Sequence, residues 1–164
     1  MCIIIDANLF SAVVDPNCQN HLDFKPVLEW VQTGHGKLVH GGSHYKHEIE
    51  RHQGFRKLLY QMEHRGKTIL VPNICVDEVE KYLIVNYIRK DFDDHHIVAI
   101  LLVSNCILVC TKDNGLRDLI NTCYQPRSKK LIKNKCQNLG KLVHPRIYKS
   151  RRNIGLLSDE YILT

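Results

Sequence analysis

Three consecutive isoleucines run directly into an aspartate near the start of the chain, Ile3-Ile4-Ile5-Asp6. A continuous β-branched run has no polar face to offer water, so a strand made of it must be covered on both sides. That requirement points to a parallel sheet sandwiched between helices, with Asp6 at the carboxyl end of one of its strands. A second run, Ile107-Leu108-Val109, is followed shortly by Asp113 and repeats the arrangement.

The rest of the chain alternates in the same manner. Strands are expected at 2–6, 37–40, 68–71 and 106–111, with a last one at 146–149. Helices are expected at 25–32, 74–90, 94–105 and 116–123. A long one at 43–63 should open with Ser43 as N-cap and kink at Gly54. The 94–105 helix is apolar nearly all round and so belongs in the interior. Together these elements predict a three-layer α/β/α fold with a mainly parallel sheet of about five strands. The 164 residues suffice for a single domain, 1–164.

Hydrophobic residues make up 44% and charged residues 24%, an ordinary globular balance. No apolar run approaches the roughly 20 residues that span a bilayer, and a carboxylate at the sixth residue is not the pattern of a signal peptide. Cys2, Cys75, Cys106 and Cys110 sit within apolar stretches, where free cysteine acts as a small hydrophobe. An odd total of seven also argues against a disulfide framework. The cytoplasm is the expected setting. The net charge of +6 is concentrated in a basic segment at about 124–152 that contains no Asp or Glu. Its first half reads as a loop or mobile stretch. Lys129, Lys130, Lys133, Lys135, Arg151 and Arg152 are candidate contacts for a polyanion such as RNA.

Open parallel sheets bind ligands beyond the carboxyl ends of their strands. Asp6 and Asp113 lie at that level, Asp94 stands at the mouth of the interior helix, and Glu48 follows the second strand. Taken singly, Asp6, Asp94 and Asp113 also read as helix caps and Glu48 as a solvated helix residue. Four acids on one rim would repel one another unless a cation is present. All-oxygen donors select Mg²⁺ or Mn²⁺. Such an ion can activate water for phosphodiester hydrolysis.

The order of these motifs resembles the PIN-domain family. The matching stretches are Ile5-Asp6-Ala7-Asn8, then Gly41-Gly42-Ser43 through Glu48, Asp94-His95-His96-Ile97, and Val109-Cys110-Thr111-Lys112-Asp113. The resemblance covers about residues 1–123 and implies a five-strand parallel sheet in the order 3-2-1-4-5. It implies a ribonuclease whose Mg²⁺ or Mn²⁺ is held by Asp6, Glu48, Asp94 and Asp113 as metal and catalytic residues. Asn8 and Thr111 match supporting positions, and Asp118 is a further acid that reads equally as a surface residue. In bacteria such proteins are frequently toxins of toxin–antitoxin pairs, or defence-related nucleases. An antitoxin protein and a homodimer are therefore the implied partners besides RNA. The alternative is a catalytically inactive PIN-fold module that binds RNA or protein.

Ten histidines depart from a compact member of that family, among them His44, His47 and His52 around Glu48 and His95-His96 beside Asp94. Their spacing lacks the His-Glu-x-x-His zinc pattern, so surface or locally hydrogen-bonded histidine is the expectation. Cys123, Cys136 and His144 likewise lack a close Cys-x-x-Cys pair.

Overall fold

The computed structural model describes residues 1–158; residues 159–164, part of the expected domain, lie outside the described residues. The fold is α/β, built on a five-strand, all-parallel sheet in the order 3-2-1-4-5 and flanked by helices. In chain order the strands are β1 (Cys2–Ile5), β2 (Lys37–Gly41), β3 (Thr68–Val71), β4 (Leu108–Cys110) and β5 (Arg146–Tyr148). Between β1 and β2 lie α1 (Phe10–Val14) and α2 (His21–Gln32). Helices α3 (Ser43–Arg51) and α4 (Gln53–His64) join β2 to β3, and α5 (Asn73–Asn86) and α6 (His95–Val103) join β3 to β4. Last come α7 (Asn114–Cys123) and α8 (Pro126–Lys135) before β5.

The chain moves outward from β1 to β3, then crosses back to lay β4 on the other side of β1. Right-handed crossovers in opposite directions place their helices on opposite faces of a sheet. Accordingly α1 packs on both α2 and α4, while α6 packs on α5 and α7. Between the two groups β1 is enclosed, with Ile3, Ile4 and Ile5 at 1% exposure or less. Helix α6 is interior as its composition requires, being buried from His95 through Leu102.

Three expectations about local structure are corrected. The 43–63 stretch is two helices, and the break falls at His52 rather than Gly54. His52 is extended, and its Nδ1 accepts a hydrogen bond from the Phe55 amide at 3.1 Å, so it caps the second helix. Phe55 is thereby set in a stack on Phe10, with ring centroids 3.7 Å apart. Ser43 is the first residue of α3, not its cap. The cap position is Gly42, at a φ of 84° that side chains rarely adopt. The first half of the basic segment, expected to be loop, is the helix α8. Pro126 starts it at a position where a missing N–H costs nothing, and Ile132, fully buried, anchors it. One buried isoleucine in a run of lysines is too thin an apolar stripe to read as a helix from sequence.

Among the described residues no helix is long and apolar enough to cross a membrane.

Candidate metal centre

The carboxyl ends of β1 and β4 are adjacent because the two strands pair in parallel, Ile5 opposite Cys110. Pairing continues one step further, with the Asp6 amide donating to the Cys110 carbonyl at 2.9 Å. Asp6 is therefore fixed by backbone and is only 1% exposed. Its Oδ2 accepts from the Thr111 hydroxyl at 2.6 Å, and its Oδ1 accepts from the Asn8 amide at 3.0 Å. Thr111 also accepts from the Asp113 amide at 2.9 Å, which ties both strand ends into one network. Burial raises the Asp6 pKa. The two hydrogen bonds oppose that rise, and the charges of Asp113 and Glu48 add to it.

Asp113 caps α7, its Oδ1 accepting from the Leu116 amide at 2.9 Å. Asp94 occupies the equivalent position before α6 but makes no side-chain cap bond. Its Oδ2 is buried without a hydrogen-bond partner. Burial pushes its pKa up to about 7, with the Asp6 charge next in weight, opposed by His96 and reinforced by Asp93 and Asp113. Asp93, Asp94 and Asp113 each offer an oxygen within 4.8 Å of the others, a group able to hold a metal ion. Both α6 and α7 point their N-termini at this rim, where the helix dipole favours negative charge.

Glu48 reaches the same region from α3. The fully buried Tyr45 on that helix donates its hydroxyl to the Ile5 carbonyl, which fastens α3 to the end of β1. The start of α3 is held by α5, with the Asn73 side chain accepting from the Gly42 amide at 2.9 Å and Asp77 from the Ser43 amide at 2.7 Å. Glu48 accepts from His96 Nε2 at 2.9 Å. Its charge adds slightly to the rise in the Asp6 pKa.

Of the four predicted acids, Asp94 and Asp113 come together, with Asp93 as the third member of their group. Asp6 is joined to Asp113 through Thr111, while Glu48 bonds His96 and is not a member of that group. Thr111 supports Asp6 through its side chain, whereas Asn8 does so through its backbone amide and has an exposed side chain. Asp118 is 38% exposed and pairs with Arg117 along α7. Asp93 and the His96–Glu48 hydrogen bond are not among the features expected from sequence. The run Asp93-Asp94-His95-His96 was the available signal for both.

The basic residues form a separate feature. Lys129, Lys130 and Lys133 line a cleft of about 510 Å³ with Lys141, Pro126, Asn134, Leu142 and Val143. Lys141 is anchored there by its backbone amide, which donates a hydrogen bond to Asn105 Oδ1 at 2.9 Å. Asn105 precedes β4, so the cleft lies toward the end of the sheet opposite the carboxylates. Lys135 falls in the last turn of α8, and Arg151 and Arg152 lie in a 3-10 segment that packs on α2.

No family model matches this chain, and neither a curated protein nor a solved structure gives a significant match to it.

Proposed function

We propose that the chain is a PIN-like endoribonuclease that hydrolyses RNA phosphodiester bonds using Mg²⁺ or Mn²⁺ held by Asp6, Glu48, Asp94 and Asp113. The observation that carries this reading is the buried, unpartnered Oδ2 of Asp94 beside two other carboxylates. An orphaned buried oxygen costs roughly 1–3 kcal/mol, and gathering like charges around it adds to the cost. A hard divalent cation relieves both, and a donor set made of carboxylate oxygens suits Mg²⁺ or Mn²⁺. When bound, such an ion lowers the pKa of water and offsets charge on the departing oxygen.

The chain's own residues supply rigidity. Asp6 is held by Thr111, Asn8 and the strand backbone, so it keeps its orientation whether or not substrate is present. Asp113 has one oxygen engaged in capping α7 and the other free to turn to the crevice. Glu48 is oriented from behind by His96. On this reading the lysine cleft, at the other end of the sheet from the acids, holds RNA backbone remote from the cut.

The test is incubation of the full chain with single-stranded and structured RNA in Mg²⁺ or Mn²⁺, in EDTA, and with Asp6→Asn. Metal-dependent cutting that Asp6→Asn removes is the expected result. RNA or protein binding without metal-dependent cleavage would establish the inactive module instead.

A second measurement concerns the cleft. Replacing Lys129, Lys130 and Lys133 together with Gln should weaken RNA binding and reduce the log–log salt slope by about 2, the value for three phosphate contacts on a single strand. An unchanged slope would show that these lysines do not touch the RNA.

A further inference from the structure

Behind Glu48, side chains from three helices converge on one point: His44 in the first turn of α3, Glu80 in the middle of α5 and His96 at the start of α6. Each offers a donor atom within 4.8 Å of the other two. His44 Nδ1 lies 2.8 Å from Glu80 Oε1, and the His44 and His96 rings are 4.0 Å apart at their centroids. His96 is 1% exposed, and only one of its ring nitrogens is used. Nε2 bonds Glu48, while Nδ1 is buried with no hydrogen-bond partner. Buried imidazole nitrogens ordinarily find partners. This one lies beside a histidine and a carboxylate that are already in contact.

Two imidazoles and one carboxylate, with a fourth position open, make a donor set that zinc takes at about 2.0–2.2 Å. Nitrogen donors favour zinc over the Mg²⁺ or Mn²⁺ suited to the carboxylate rim. Tetrahedral ligation at those lengths separates donors by about 3.3 Å. The three groups therefore need only modest adjustment, and His44, with a 47% exposed side chain, is free to supply it. A metal-bound histidine typically donates its other N–H to a carboxylate, which fixes its tautomer. His96 already has that carboxylate in Glu48.

We propose that His44, Glu80 and His96 form a zinc site, separate from the carboxylate crevice and joined to it by the His96–Glu48 hydrogen bond. Zinc on His96 Nδ1 requires the remaining proton to sit on Nε2, where it points at Glu48. Occupancy would therefore hold Glu48 in a single orientation. The site stands on its own geometry and does not depend on the nuclease reading.

The test uses the full chain, freed of metal and titrated with Zn²⁺ alone against a chromophoric chelator. Stoichiometric zinc binding is expected in the wild type and in Asp94→Asn, weakened more than about 100-fold by His44→Gln and by Glu80→Gln. Co²⁺ should give the visible absorption of a low-coordinate site in the wild type and lose it in His44→Gln. Far-UV circular dichroism checks the fold, and His44 is exposed enough that its substitution leaves the core intact. Failure of the wild type to bind zinc would overturn the proposal. Binding that both substitutions leave unchanged, or that Asp94→Asn abolishes, would do the same.

Discussion

Asp94→Asn is expected to lower metal-dependent RNA cleavage by about 100-fold or more while making the metal-free protein more stable. Loss of a group that merely orients a ligand costs roughly 10–100-fold, and loss of a ligand should exceed that. Stability moves the other way because of where the carboxylate sits. Asp94 is 9% exposed, has an unpartnered oxygen and lies near other acids. Its pKa rises from 3.8 in the unfolded chain to about 7 in the folded one. Between those values the native state binds the extra proton, so stability falls as pH rises across the window. His96 contributes in the same direction. Burial opposes its protonation, but the Glu48 hydrogen bond and charge, with Asp94 and Glu80, outweigh burial and raise its pKa. The stability it adds is fully present below 6.5 and is lost as pH climbs through the folded value.

A neutral amide at 94 removes the ionisation cost, which the shift from 3.8 to about 7 sets at no more than about 4 kcal/mol above neutrality, reduced by solvent screening at the rim. In a chain of this length that raises the melting temperature by about 2–4 °C for each kcal/mol. Adding Mn²⁺ should stabilise the wild type at pH 8 and have much less effect on Asp94→Asn. Thermal melts from pH 5 to 8, without metal, check the stability claim. Superimposable profiles for the two proteins would remove Asp94 from the account.

Gly115→Ala is expected to cost about 2–3 kcal/mol and to weaken cation binding at the rim. Helix propensity argues the reverse, since alanine in a helix is favoured over glycine by about 1 kcal/mol. Gly115 is the second residue of α7, and a Cβ there would lie 2.2 Å from the Asp91 carbonyl oxygen. That contact is with backbone, so it cannot be relieved by turning a side chain. Either α7 withdraws with Asp113, or the segment leading to Asp93 and Asp94 shifts. Both movements separate the carboxylates that converge there. Urea denaturation with and without Mn²⁺ reads both effects, and a Gly115→Ala protein more stable than wild type would refute the close approach.

The architecture was legible where the physics is local and strong. Ile3-Ile4-Ile5 and Ile107-Leu108-Val109 have to be covered on both faces, and the acids after them lie beyond the strand ends for that reason. The interior helix was legible because it has no polar side. Other features depended on contacts between distant residues. The His52 cap of α4 goes together with the stacking of Phe55 on Phe10, a contact that spacing does not disclose. Helix α8 hangs on Ile132, which looks isolated among lysines. The start of α3 is held by Asn73 and Asp77, about thirty residues away in sequence. His96 appeared to be one histidine among ten, and its link to Glu48 exists only once α6 lies beside α3.

The adjacency of β1 and β4 also bears on how the molecule comes into being. Thr111 and Asp6, which share a hydrogen bond, are 105 positions apart. A nascent chain halted between residues 48 and 93 carries Asp6 and Glu48 without Asp94 or Asp113. Translation products that end before Asp113 therefore lack an assembled crevice. The crevice closes only when the central strand gains its second neighbour, so its assembly follows the order of synthesis.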